Sequence, residues 1–232
     1  MKKYELTSKV TEYKGHTLHR IKALKDFGSV KTGQFGGWIE NEKNLSQDDN
    51  AWIYSEAMVF DNAKVFGNAK ILGNAHIFGN AKVFDYARVY GNAIVYDNAI
   101  VFGYAEVCEN AKVCDNAEVY DFTRIFGNAK IFDYTRVYDF AEVYGNVGIY
   151  GNATIKGDAK VYDAVDYIVF KNFWSSGRYF TWTRSNNMWS VGCFHGTGRE
   201  LINKAYNDSE ISGKEYERVV RYVESILADE RK

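Results

Sequence analysis

Between residues 51 and 163 the chain repeats one hydropathy figure every six residues. A small residue, a polar one, a branched aliphatic and an aromatic are followed by a Gly or Asp and then, usually, an Asn. The small residues run from Ala51, Ala57 and Ala63 to Ala159, with Thr123, Thr135 and Val147 the only departures from Ala, giving nineteen hexads in unbroken register. In Ala81-Lys82-Val83-Phe84-Asp85-Tyr86, Ala and Val alternate with Lys and Phe, the period of a strand with one buried face. Gly, Asp and Asn in the closing pair tolerate left-handed backbone angles and let the chain turn. Each hexad therefore predicts a four-residue strand and a corner, with Val and Ile filling the interior beside the small Ala.

The flanks follow other patterns. Upstream, YELTSKVTEYKGHTLHRIKAL predicts two strands around a Lys14-Gly15 turn, and Ile39 and Leu45, six apart, suggest an irregular first coil. Downstream the hexad register ends at Ala164; YIVFKNF, RYFTWTR and MWSVGCF predict three strands of a meander. Two helices follow, each with a capping-box motif, Thr197 to Glu200 and Ser212 to Glu215. The second carries Tyr216, Val219, Val220, Val223, Ile226 and Leu227 on one stripe. The expected organisation is an N-terminal β-hairpin and cap over 1–50, a repeat domain over 51–163 and a small α+β domain over 164–232.

An aliphatic residue followed four positions later by a small one, as in Val65/Ala69, Ile71/Ala75, Val83/Ala87 and on to Ile155/Ala159, resembles the hexapeptide-repeat, left-handed parallel β-helix family. The resemblance implies a mainly β fold, left-handed, with three hexads in each 18-residue coil, stacked at about 4.8 Å. The N-terminal phrasing is similar to uncharacterised hexapeptide proteins of phages, prophages and gut bacteria, which suggests a phage-related role and a host protein as partner. Family members are commonly trimers, so a homo-oligomer, trimer or dimer, is expected.

Composition narrows the chemistry. The net charge is −1 and no segment carries a basic excess, which argues against nucleic acid as partner. No window is apolar enough for a membrane span and no secretory leader is visible, so a cytoplasmic location is expected. Three cysteines make a disulfide framework an unattractive reading. The family includes acyltransferases that use a histidine beside a projecting loop. Here the repeat has no such loop and one histidine, His76, at the outward position that elsewhere holds Lys64 or Lys82, where a solvated surface role is expected. Four histidines, one of them in the coils, do not make the multi-histidine zinc site of the family's metal-dependent members, and no cofactor is expected. Cys108 and Cys114 read as surface replacements for aromatics. Cys193 and His195 form a weak candidate dyad, with Cys193 continuing the alternation Trp189, Val191, Cys193 as an ordinary buried residue.

Function is better sought in ladders of residues 18 apart. Two corners carry asparagines, Asn74 to Asn146 and Asn62 to Asn152, the latter interrupted by Tyr134. The third reads Asn68, Tyr86, Tyr104, Phe122, Phe140, Asp158, and its four aromatics are the candidate binding ridge. Phe66, Phe84, Phe102, Tyr120 and Tyr138 form a second ladder on one face, an outward aromatic surface suited to an interface. The leading expectation is a non-catalytic binding or scaffold solenoid. The alternatives are an acyltransferase-like enzyme and a carbohydrate-binding solenoid.

Overall fold

The computed structural model describes residues 2–229. An antiparallel hairpin, β1 (Tyr4–Tyr13) and β2 (His16–Ala23), turns through left-handed Lys14 and Gly15. It leads through β3 (Phe35–Ile39) into nineteen short strands, β4 (Trp52–Ile53) to β22 (Lys160–Val161). These stack in three parallel sheets with every residue paired to one 18 positions on, as in Arg88↔Glu106, Ile94↔Lys112 and Ile100↔Glu118. The result is a parallel β-solenoid of about seven turns. Pairing covers two residues of each hexad where four were expected, because the chain is already bending at the flanking Ala and aromatic. The aromatic's amide still joins the ladder, as in Phe84 N–H donating to the Val101 carbonyl at 3.1 Å.

The interior is the predicted stack of Ala, Val and Ile, nearly all without solvent exposure. The irregular first coil is present: Ile39 pairs with Val59 and Leu45 with Val65. Both offsets exceed 18 by two residues, absorbed between Leu45 and Ala51.

The ends of the solenoid differ in what they lack. Each backbone N–H donates toward the next coil, so the first coil exposes carbonyls and the last exposes amides, and neither can be left buried and unpaired cheaply. The N-terminal segment supplies donors. Lys3 is fully buried with Nζ 3.0 Å from the carbonyls of both Asp49 and Ala51, and Asn44 Nδ2 reaches the carbonyls of Asp61 and Ala63 at 3.0 Å. The C-terminal segment supplies acceptors: Thr181 Oγ1 receives the Thr154 amide at 2.9 Å, Ser185 Oγ the Lys160 amide at 2.7 Å, and Asp166 Oδ2 the Tyr162 amide at 2.8 Å.

Beyond the coils the meander has four strands, β23 (Tyr167–Lys171), β24 (Tyr179–Thr183), β25 (Met188–Val191) and β26 (Phe194–Gly196). The third expected strand is two, because Gly192, at φ 55°, turns the chain inside MWSVGCF. Helices α1 (Gly198–Asp208) and α2 (Glu210–Asp229) close on this sheet around Phe180, Trp189, Leu201, Tyr216 and Val220. Thr197 and Glu200 form the predicted capping box. The second box does not form: α2 begins earlier, Ser209 Oγ accepts the Ser212 amide, and Ser212 and Gly213 are buried inside the helix. Gly213 is needed there, since a Cβ would lie 2.3 Å from the Tyr206 ring.

Candidate binding surface

The corner geometry decides which side chains can form a ridge. The left-handed residue is always the fifth of the hexad, with φ of 55° at Asp85, 67° at Gly103, 57° at Asp121 and 62° at Asp139. The sixth residue is released from that restriction, so Asn can be exchanged there for an aromatic without disturbing the turn. Its amide is spent on the coil stack: Tyr86, Tyr104, Phe122 and Phe140 donate to the carbonyls of Gly103, Asp121, Asp139 and Gly157 at 2.8–2.9 Å. On the other corners the sixth residues chain their amides, Asn62 to Asn80 to Asn98 to Asn116 at 3.1–3.3 Å. On this corner the rings stack. Tyr86, Tyr104, Phe122 and Phe140 have successive centroids 4.9, 5.0 and 5.3 Å apart, tilted by no more than 7°. They are 51, 52, 53 and 65% exposed.

Two residues upstream in each hexad runs the second ladder, Phe66, Phe84, Phe102, Tyr120 and Tyr138, at 4.7–5.0 Å spacing and half-buried. Burial pushes the Tyr120 phenol above its ordinary range. Lys156 ends this ladder, buried, with Nζ 5.4 Å from the Tyr138 ring centroid; as a cation over a ring it is a contact that alternation did not foretell. The two ladders together make one aromatic edge. The adjoining face is a charge ladder, Arg88–Glu106–Arg124–Glu142–Lys160, bridged at 2.8, 4.0, 3.5 and 3.5 Å.

The remaining candidates fall elsewhere, several in unexpected surroundings. His76 is not a solvated surface residue: the hairpin lies over its face, with the Tyr13 hydroxyl 3.1 Å from Nδ1 and the two rings 4.9 Å apart. Burial, with Lys14 nearby, lowers its pKa. Phe60 is buried under the same hairpin with Leu18 and Trp38. His16, unremarked in the sequence, fastens that hairpin, with Nδ1 3.0 Å from Glu40 and Nε2 3.5 Å from Asp61. The hydrogen bond to Glu40 raises the His16 pKa and lowers that of Glu40. Cys108 is buried and Cys114 half-buried, not surface fillers, because a short side chain in an aromatic ladder is overhung by its neighbours. Cys193 is exposed in the β25–β26 turn, not buried, and makes no hydrogen bond to His195 among the described residues; His195 Nδ1 instead faces Ser190 Oγ at 3.2 Å. Two groups of three donors lie close enough for a metal ion, His16–Glu40–Asp61 and Asp97–Cys114–Asp115; in the first, both ring nitrogens already face carboxylates.

The family model of the YdcK β-solenoid repeat matches residues 87–103. Over those residues the chain is similar to that repeat family, and its fold is a parallel β-solenoid built on six-residue repeats. A protein of Escherichia coli (strain K12) named "Uncharacterized acetyltransferase YdcK" is 36% identical to it over 64 residues. That stretch is 24% of this chain and 20% of the relative, so the comparison reaches about a fifth of the other protein's length. The solenoid's matched repeat lies between the ridge residues Tyr86 and Tyr104. Among the described residues no helix is long and apolar enough to cross a membrane.

Proposed function

We propose that this solenoid is a non-catalytic binding protein whose working surface is the aromatic edge formed by Tyr86, Tyr104, Phe122 and Phe140 beside the Phe84–Tyr138 ladder. The observation carrying this reading is that the exposed rings are stacked on one another. Their π-faces are covered by the rungs above and below, so the ridge offers ring edges and apolar side area along its length. Sugars and bases are held on open aromatic faces; a continuous edge of this kind suits the flat apolar core of a protein interface. The partner is therefore a protein, either a second copy of the chain in a dimer or trimer, or a different protein. The phage-associated, host-targeting version of this reading rests on the sequence resemblance alone and adds no residue to the site.

The test is the Tyr104→Asn/Phe122→Asn double variant. It is expected to keep the far-UV spectrum and lose assembly mass by light scattering, or lose binding to a partner purified with the wild-type protein. Unchanged assembly and binding would refute the ridge. A second reading, acyl transfer, is favoured by the name of the Escherichia coli relative, with His76 as the base. Its test is direct: consumption of acetyl-CoA by the purified protein that His76→Ala abolishes would replace the binding reading, and activity that survives the substitution would remove His76 from it.

A further inference from the structure

A concavity lies where the last coils meet the meander. A cleft of about 630 Å³ opens there, within the range of roughly 300–1,000 Å³ typical of small-molecule sites. Its coil wall carries Tyr134, Arg136, Tyr138 and Glu118, and its meander wall carries Arg178 and Tyr179.

Three observations set this cleft apart from the ordinary surface of the solenoid. First, both arginines are uncommitted: among the described residues neither Arg136 nor Arg178 makes an ion pair. Arg136 stands in register with Glu118, as Arg124 does with Glu106 on the next face, yet only the latter pair is bridged. Second, the asparagine corner is interrupted at this level. The amide chain ends at Asn116 and the next rung is Tyr134, 64% exposed and without a ring partner among the described residues. Unlike the ridge aromatics, Tyr134 has asparagines, Asn116 and Asn152, and no ring on the rungs to either side. Third, Arg178 is held in place by a built loop. Its carbonyl accepts the amide of Asn172, which is buried and bonded through its side chain to Ser175 and Tyr216. On the other side Gly192 comes so close that an added Cβ would lie 3.4 Å from Arg178 Nη1.

We propose that this cleft binds a small oxyanion, a phosphate or carboxylate, carried on a flat ring. The guanidinium forks of Arg136 and Arg178 take the anion from opposite walls, the geometry in which arginine binds such groups by paired, charge-assisted hydrogen bonds. The Tyr134 ring, which no other aromatic stacks on, takes the ring of the ligand. Glu118 is the acceptor for any hydroxyl or amine the ring bears.

The experiment is calorimetric titration of the full chain with phenyl phosphate, benzoate and the neutral isostere benzamide. Both anions are expected to bind at least about tenfold tighter than benzamide, a difference of about 1.4 kcal/mol, with the stronger of the two identifying phosphate or carboxylate as the preferred group. Arg136→Gln/Arg178→Gln is expected to remove that preference, and Tyr134→Asn to weaken all three ligands alike while restoring the asparagine corner. Equal binding of benzamide and the anions, binding unchanged in the double arginine variant, or no binding of either anion at millimolar concentration would overturn the proposal. Both arginines are exposed, and a far-UV spectrum and melting curve matching wild type ensure that loss of binding is not loss of fold.

Discussion

Thr123 and Thr135 occupy the small-residue position of their hexads with no solvent exposure, and neither hydroxyl has a partner among the described residues. Val147 stands at the equivalent place of its own hexad, only 4% exposed, so the coil accommodates a β-branched side chain there. Replacing Thr by Val at both sites keeps shape and removes two orphan hydroxyls. A buried, unsatisfied polar group costs about 1–3 kcal/mol, and the threonines lie under different sheets with no shared hydrogen-bond partner. The double variant should therefore be more stable by roughly 2–6 kcal/mol if the sites add. At about 2–4 °C per kcal/mol for a chain of this size, melting should rise by at least about 4 °C. Urea and thermal unfolding followed by far-UV circular dichroism read this directly. Thr→Ser at the same sites, which keeps the hydroxyl and deletes the methyl, should lower the midpoint. A double Val variant no more stable than wild type would refute the claim that these hydroxyls are unpaired costs carried by the core.

Three further outcomes follow from the caps and the hairpin. Thr181→Val should destabilise by about 1–3 kcal/mol, because it strips the acceptor from the Thr154 amide; a change below about 0.5 kcal/mol in urea unfolding would contradict the capping role. Lys3→Met should cost at least as much, since two first-coil carbonyls lose their donor, and protease sensitivity of the N-terminal hairpin should rise with it. For His16 the sign is set by its raised pKa: its stabilisation is full below the ordinary value of 6.5 and is lost as pH rises through the folded value. Glu40, with its pKa lowered, contributes above 4.5 and loses that as pH falls through its folded value. The unfolding midpoints of wild type and His16→Gln should thus differ most between pH 4.5 and 6.5 and converge at alkaline pH; a constant difference across that range would remove the ion pair from the account.

Much of the architecture is written locally, which is why it was readable. Val83 and Ala87 declare their burial through spacing alone, and an 18-residue coil turns Tyr86 from an exception in a hexad into a rung of a column. What could not be read depends on segments folding back over the repeat. His76 occupies an outward position by every local rule, and only the hairpin carrying Tyr13, more than sixty residues earlier, makes it half-buried. Cys193 continued a clean alternation, yet Gly192 adopts a left-handed angle and reverses the strand before it. The His16–Glu40–Asp61 contact and the cleft between Arg136 and Arg178 join residues about 25 to 45 apart by contacts between different layers, for which period and composition hold no signal. Tyr134 was visible as an interruption of the asparagine corner, though its neighbours across the cleft were not.

For a binding solenoid of this kind the ridge must touch a protein. A photoreactive benzoylphenylalanine in place of Phe122, irradiated in the assembled or partner-bound protein, reads that contact at the site itself. A crosslinked species of added protein mass, mapped to the ridge, is expected, with none from the same probe at exposed Lys112 on another face. No crosslink at Phe122, or equal crosslinking at both positions, would contradict it.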